Sequence, residues 1–211
     1  KKLITCVCMA LAATLGSVTL KAQYGPLPGG GYGSSSINWK HETATLTLTL
    51  TGYVRILDYS NFQPAPWAKH RAEIKSIVIG SGITSIGEYA FAGSSALTSV
   101  QIPAGVTQIE DYAFANCSAL PAITLPIGVT EIEKGVFLNC SSLRSVTLPQ
   151  GMQKVGDGAF ANCTSLPSIT LPLGLREIEK GAFSGCTSLV SVSFPAAGLT
   201  DIDEGAFYGC T

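Results

Sequence analysis

From Ile74 to Thr211 the apolar and polar positions fall into columns that return at a fixed interval. The most regular column is Phe91, Phe114, Phe137, Phe160, Phe183 and Phe207, with steps of 23, 23, 23, 23 and 24 residues. A fixed period of this size predicts a solenoid, in which each repeat is one coil. Within a coil, Leu120, Ile123 and Leu125 stand at i, i+3 and i+5. Ile123 and Leu125 share one face of a short strand, and Ala122 and Thr124 share the other. The inward pair recurs as Val100/Ile102, Val146/Leu148, Ile169/Leu171 and Val192/Phe194. A Pro-x-Gly turn ends the strand at Pro103, Pro126, Pro149 and Pro172, which suits a type I turn. A second apolar run follows, as in Val106/Ile109, Val129/Ile132, Met152/Val155, Leu175/Ile178 and Leu199/Ile202.

The rest of each coil opens on acidic residues and reaches the phenylalanine, as in Glu110-Asp111-Tyr112-Ala113-Phe114. Acidic residues suit the positive end of a helical turn. Two residues after each phenylalanine stands Gly93, Asn116, Asn139, Asn162, Gly185 or Gly209. Glycine and asparagine are the residues that tolerate a left-handed backbone, so each is predicted to end a helical piece. The space available predicts one or two turns, helical or 3-10, rather than a full helix.

A single coil cannot bury its own apolar face, whereas stacked coils share a continuous core. Each contributes about seven large apolar side chains, worth about 1.5–3 kcal/mol apiece before conformational entropy is subtracted. The recurring L-x-x-[IV]-x-[IL]-P-x-G-[VL]-x-x-I-x-x-x-A-F-x-[GN]-C resembles the BspA-like leucine-rich repeats, also called the Treponema pallidum type. The resemblance covers residues 74–211, read as six coils of which the last is incomplete. It implies a mostly β solenoid from a family made up largely of secreted or surface bacterial proteins, several with adhesive roles.

The first 73 residues read differently. Lys1 and Lys2 precede an apolar stretch from Leu3 to Leu20, with Ala22 as a small cleavage residue, so residues 1–22 are predicted to be a secretory signal peptide. Cys6 and Cys8 lie ahead of most of that stretch, which argues against a lipid anchor. Residues 23–36 are rich in Gly, Pro and Ser and read as a flexible linker. Residues 37–73 are expected to form a small β-rich N-terminal cap, because solenoid ends need covering. In it, Thr45–Thr51 alternates Thr and Leu and predicts a half-buried strand, Val54–Tyr59 a second, and Pro66 a short helix over 67–73. This segment also resembles the module that often precedes the repeats in the same family, with Ala44-Thr45-Leu46 where that module usually has Gly-Thr-Leu.

Composition narrows the function. The formal net charge is −1. Removing Lys1, Lys2 and Lys21 from 13 basic residues leaves 10 against 14 acidic, or −4. There is no basic patch for nucleic acid, and no membrane span is expected after signal cleavage. No phosphate-binding loop or serine-nucleophile motif occurs, no cofactor is implied, and the chain does not read as an enzyme.

Cys117, Cys140, Cys163, Cys186 and Cys210 form one column. Stacked at about 4.8 Å they sit too far apart to pair, so they read as buried free thiols. His41 and His70 read as surface or capping residues. Asn116, Asn139 and Asn162 each begin an N-x-Ser/Thr glycosylation pattern, although the left-handed turn already accounts for them. Asp201, Asp203 and Glu204 are the nearest approach to a cation cluster in the repeats, without the ligand spacing of a known loop.

The candidate binding face is the outward side of the main strands: Ser99, Gln101, Thr124, Ser145, Thr147, Ser168, Thr170, Ser191 and Ser193. The charged side of the second run, including Glu131, Glu133, Lys154, Glu177 and Glu179, competes with it. The reading is a secreted or cell-surface leucine-rich-repeat binding module, with a host or cell-surface protein as the expected partner in an adhesive or protein-protein role. A glycan-binding accessory protein is one alternative, needing aromatic platforms that only Trp39, Trp67 and nearby tyrosines supply. A spacer for a further domain is the other.

Overall fold

The computed structural model describes residues 37–60 and 62–210. The predicted signal peptide and linker lie outside the described residues. The repeats form a leucine-rich β solenoid of six coils with almost no helix. Two stacks of short parallel strands line it. One contains β2 (Thr47–Thr51), β4 (Ser76–Ile79), β6 (Ser99–Gln101), β8 (Ala122–Thr124), β10 (Ser145–Thr147), β12 (Ser168–Thr170) and β14 (Ser191–Ser193). The other contains β3 (Val54–Arg55), β5 (Ile83–Ile86), β7 (Gln108–Ile109), β9 (Glu131–Ile132), β11 (Lys154–Val155), β13 (Glu177–Ile178) and β15 (Asp201–Ile202). A further strand, β1 (Asn38–Glu42), was not anticipated; it closes the first stack by pairing antiparallel with β2. β2 in turn pairs in parallel with β4, so the sheet runs without a break from the N-terminal segment into the repeats.

The N-terminal elements are shorter than their sequence patterns. β2 starts at Thr47 rather than Thr45 because Leu46 is held at φ 53° in the preceding turn. β3 covers only two residues, and the expected helix reduces to a 3-10 turn, Ala68–His70.

The interior is a set of columns. Phe91, Phe114, Phe137, Phe160 and Phe183 are essentially fully buried, and successive rings from Phe91 to Phe207 stack with centroids 5.1–5.8 Å apart. Trp67 begins the column, 5.9 Å from Phe91 and stacked on it, with its indole N–H donating to the Ala90 carbonyl at 2.8 Å. The inner valines, isoleucines, leucines and Met152 of the second run are buried as far as Ile178, whereas Ile202 in the last coil is 45% exposed.

The corner that carries the phenylalanines departs from expectation. It is a chain of hydrogen-bonded turns and not a helical turn. The expected left-handed residues are there: Gly93, Asn116, Asn139, Asn162, Gly185 and Gly209 have φ between 60° and 74°. A second left-handed column stands four residues earlier, at Tyr89, Tyr112, Gly135, Gly158, Gly181 and Gly205. Two left-handed residues four apart leave no room for a right-handed helix.

They also turn alternate N–H groups in opposite directions. In the second coil, Ala113, Ala115 and Cys117 close turns onto Glu110, Tyr112 and Phe114. Tyr112, Phe114 and Asn116 instead donate to Lys134, Val136 and Leu138 of the next coil, at 2.7–3.0 Å. Phe91, Phe137, Phe160 and Phe183 donate across their junctions in the same way, so this third ladder spans all five coil-to-coil junctions.

Tyr89 and Tyr112 stack at 5.0 Å, and a contact of about 0.5–1.5 kcal/mol offsets part of the cost of their two left-handed backbones, about 1–2 kcal/mol each. A Cβ at Gly135 would come within 2.3 Å of the Tyr112 ring, so the column must change to glycine there. The acidic residues do not serve helix ends either. Asp111 accepts from the Lys134 N–H of the next coil, and Glu179 from the Asp157 N–H of the previous one.

Candidate binding faces

The nine outward positions named from the sequence are all exposed, on β6, β8, β10, β12 and β14. The residue between each pair points inward, with Ile123 and Ile169 at 5% and 4% exposure. Register aligns the outward side chains, Ser145 with Ala122, and hydroxyl with hydroxyl at Thr147 and Thr124, Ser168 and Ser191, and Thr170 and Ser193.

Among the described residues, however, this face is not one continuous sheet. Ladders join β1-β2-β4-β6, β8-β10 and β12-β14, with none between β6 and β8 or between β10 and β12. The cause is in the sequence. The first rung at an intact junction is donated by the residue just before the outward pair: Thr98 to Lys75, Arg144 to Pro121, Val190 to Pro167. At the two open junctions that donor would be Pro121 or Pro167, which has no N–H to give.

Exposed aliphatics rim the face, which the sequence reading missed. Ile127 and Leu173 are 80% and 68% exposed, and Val190 is 78% exposed. The signal was available as the middle residue of Pro-x-Gly, where Ala104, Ile127, Gln150 and Leu173 alternate in character.

The opposite face carries the mixed charge expected of it. Lys134 pairs with Asp157 at 2.7 Å and Lys154 with Glu179 at 2.6 Å, each joining adjacent coils. Lys154 also stands between Glu131 and Glu177 in the ladder. The hydrogen bond to Glu179 raises its pKa above the ordinary lysine value. Burial, and then the neighbouring Glu131, raises that of Glu133.

A third surface runs along the corner. Asn139 donates its amide to the Asn116 side-chain oxygen and Asn162 to that of Asn139, both at 2.9 Å. Ser118, Ser141 and Thr164 line the same groove. The glycosylation-pattern asparagines are therefore rungs of an amide ladder. It stops at Gly185, where a Cβ would lie 2.3 Å from the Asn162 oxygen.

Beneath it the thiol column is in place. All five cysteines are free, with Cys117, Cys140, Cys163 and Cys186 buried and Cys210 partly covered. Each Sγ donates to the carbonyl of the phenylalanine 26 or 27 residues earlier, at 3.2–3.5 Å. Burial pushes the Cys140 and Cys186 thiols up to about 12.

Trp39 and Trp67, the platforms a glycan reading required, are 7% and 2% exposed and committed to the core. Among the described residues, the one cluster with metal-ligating geometry is His41, His70 and Glu73. The acidic trio Asp201, Asp203 and Glu204 is not brought together in that way. No helix among the described residues is long and apolar enough to cross a membrane.

Stacked coils of about 23 residues, two strand faces and an aromatic spine define a leucine-rich-repeat protein. The chain belongs to the BspA type leucine rich repeat region family, whose sequence profile matches residues 68–172 and again 134–211, in six copies. No curated protein matches the chain. Among solved structures, the T. pallidum leucine rich repeat protein is 24% identical, with a TM-score of 0.63 over 83% of this chain and 80% of that one. The pneumococcal vaccine antigen PcpA is 22% identical, with a TM-score of 0.54 over 81% of this chain and 49% of its own. A leucine-rich repeat protein from Bacteroides ovatus is 28% identical, with a TM-score of 0.47 over 66% and 47%.

Proposed function

We propose that this chain is a secreted or cell-surface binding module for a protein partner and not an enzyme, with residues 37–73 serving as its N-terminal cap. The observation that supports this most is the main strand face, where nine exposed polar side chains, in register within β8-β10 and within β12-β14, stand between exposed Ile127, Leu173 and Val190. Solenoids use such extended faces for recognition. A polar field broken by separated aliphatic anchors suits a protein surface. The buried tryptophans weigh against a glycan reading.

The test is capture of proteins from a host-cell surface extract by the immobilised chain. Thr147→Arg with Thr170→Arg should abolish saturable capture, while Glu131→Lys with Asp201→Lys should leave it intact. Capture on this uncharged face should also respond little to added salt, because screening acts on exposed charges. Loss only in the charge-reversed pair would move the site to the opposite face, and loss in neither would reject both faces.

A further inference from the structure

We propose that His41, His70 and Glu73 form a binding site for a borderline divalent transition ion, with Zn²⁺ the best fit, that fastens the edge strand β1 to the 3-10 turn Ala68–His70.

The site is built from two elements far apart in the chain. On β1, Trp39 and His41 are the two side chains that turn inward. Trp39 meets Trp67 edge-on at 6.3 Å, and His41 meets His70 with ring centroids 4.5 Å apart. Glu73 lies one turn beyond, its carboxylate 3.7 Å from His70 Nδ1. One ligand atom from each of the three residues lies within 4.8 Å of the others. Zinc holds His and Glu ligands at about 2.0–2.2 Å in a tetrahedron, so its ligand atoms stand about 3.3–3.6 Å from one another. A pair at the 4.8 Å limit must draw in by up to about 1.5 Å, which a rotation of the Glu73 or His70 side chain supplies. The His70 and Glu73 side chains are 27% and 59% exposed, which leaves them room to adjust.

An independent observation points to a missing ligand. His41 is 5% exposed, and its Nε2 is buried without a hydrogen-bond partner. Buried polar atoms are nearly always satisfied, because leaving one unpaired costs about 1–3 kcal/mol. Two histidines and one carboxylate are a donor set suited to zinc, with a fourth position left to water.

The experiment uses the whole chain, stripped with chelator and then titrated with Zn²⁺ by calorimetry and with Co²⁺ by visible absorption. One equivalent should bind and the melting temperature should rise. His70→Gln and Glu73→Gln should each weaken binding by about tenfold or more, since even outer-shell partners of a metal carry about 10–100-fold in affinity. Both side chains reach solvent, so these variants test the site without disturbing the core, and melting in chelator checks that they fold. The Co²⁺ spectrum should lack a thiolate charge-transfer band, because the cysteine column is not involved. Binding that survives both substitutions, a thiolate band, or no binding at millimolar Zn²⁺ would each overturn the proposal.

Discussion

Replacing Phe160 by alanine tests the assignment of the aromatic spine. Phe160 is completely buried and stacks on both sides, 5.3 Å from Phe137 at 14° and 5.3 Å from Phe183 at 6°. Burying a phenylalanine side chain is worth about 1.5–3 kcal/mol. Each stacked pair adds about 0.5–1.5 kcal/mol beyond its area. Together these give about 2.5–6 kcal/mol, which brackets the loss of about 3–5 kcal/mol usual for Phe→Ala in a core. Phe207, partly covered and stacked on Phe183 alone, should lose less.

Urea unfolding followed by circular dichroism measures both. In a solenoid each coil contacts only its neighbours, so a wound in the middle should also lower cooperativity, seen as a reduced denaturant slope. Ser168→Ala, on the exposed strand face, should cost less than about 0.5 kcal/mol. Equal harm from Phe160→Ala and Ser168→Ala would refute the assignment of Phe160 to the inside of the coil and Ser168 to the outside.

Three further outcomes follow from the inner and outer columns. A thiol reagent applied to the native protein should label Cys210 first and the four buried cysteines slowly, with all five reacting after denaturation. Because folded Cys140 and Cys186 titrate at about 12 against an ordinary value of 9.0, their contribution to stability should be complete below pH 9 and lost as pH climbs from 9 to 12. A melting temperature unchanged across that range would contradict it. At the corner, Asn139→Ala should destabilise more than Asn139→Gly by about 1 kcal/mol, because alanine must adopt φ 61° with a Cβ and glycine need not. Equal losses in denaturant unfolding would assign the whole effect to the amide ladder.

Much of this was legible in the chain because a period repeats its evidence. The inward and outward positions of Ile123 and Thr124, and the left-handed Asn116 and Gly185, each rest on five or six copies of one choice. The corner was misread because its composition suits a helical turn. What decides it is the direction of alternate N–H groups, set by Tyr112 and Gly135, and tyrosine gives no sign of a left-handed backbone. Trp67 as the first rung was readable, since it stands 24 residues before Phe91. The meeting of His41 and His70 was not. It depends on β1 folding back onto β2, a single antiparallel pairing with no second copy in the sequence to reveal it.

The three ladders are not equivalent, and their difference separates stability from recognition. Both strand stacks are interrupted; on the main face Pro121 and Pro167 each remove a rung. The corner ladder and the aromatic spine cross all five junctions from Phe91 to Phe207 without a gap. A missing strand rung forgoes about 0.5–1.5 kcal/mol. Each junction also keeps two or three corner hydrogen bonds and a ring stack, so the coil stays in place. The backbone features that hold coils together thus lie where side chains are buried or held in ladders, on the Phe and Asn columns. The strand face, whose outward side chains touch none of these columns, is left to vary in composition at little cost to the stack. Its alternation of hydroxyls, proline breaks and exposed aliphatics is therefore better explained by what it contacts than by what it supports.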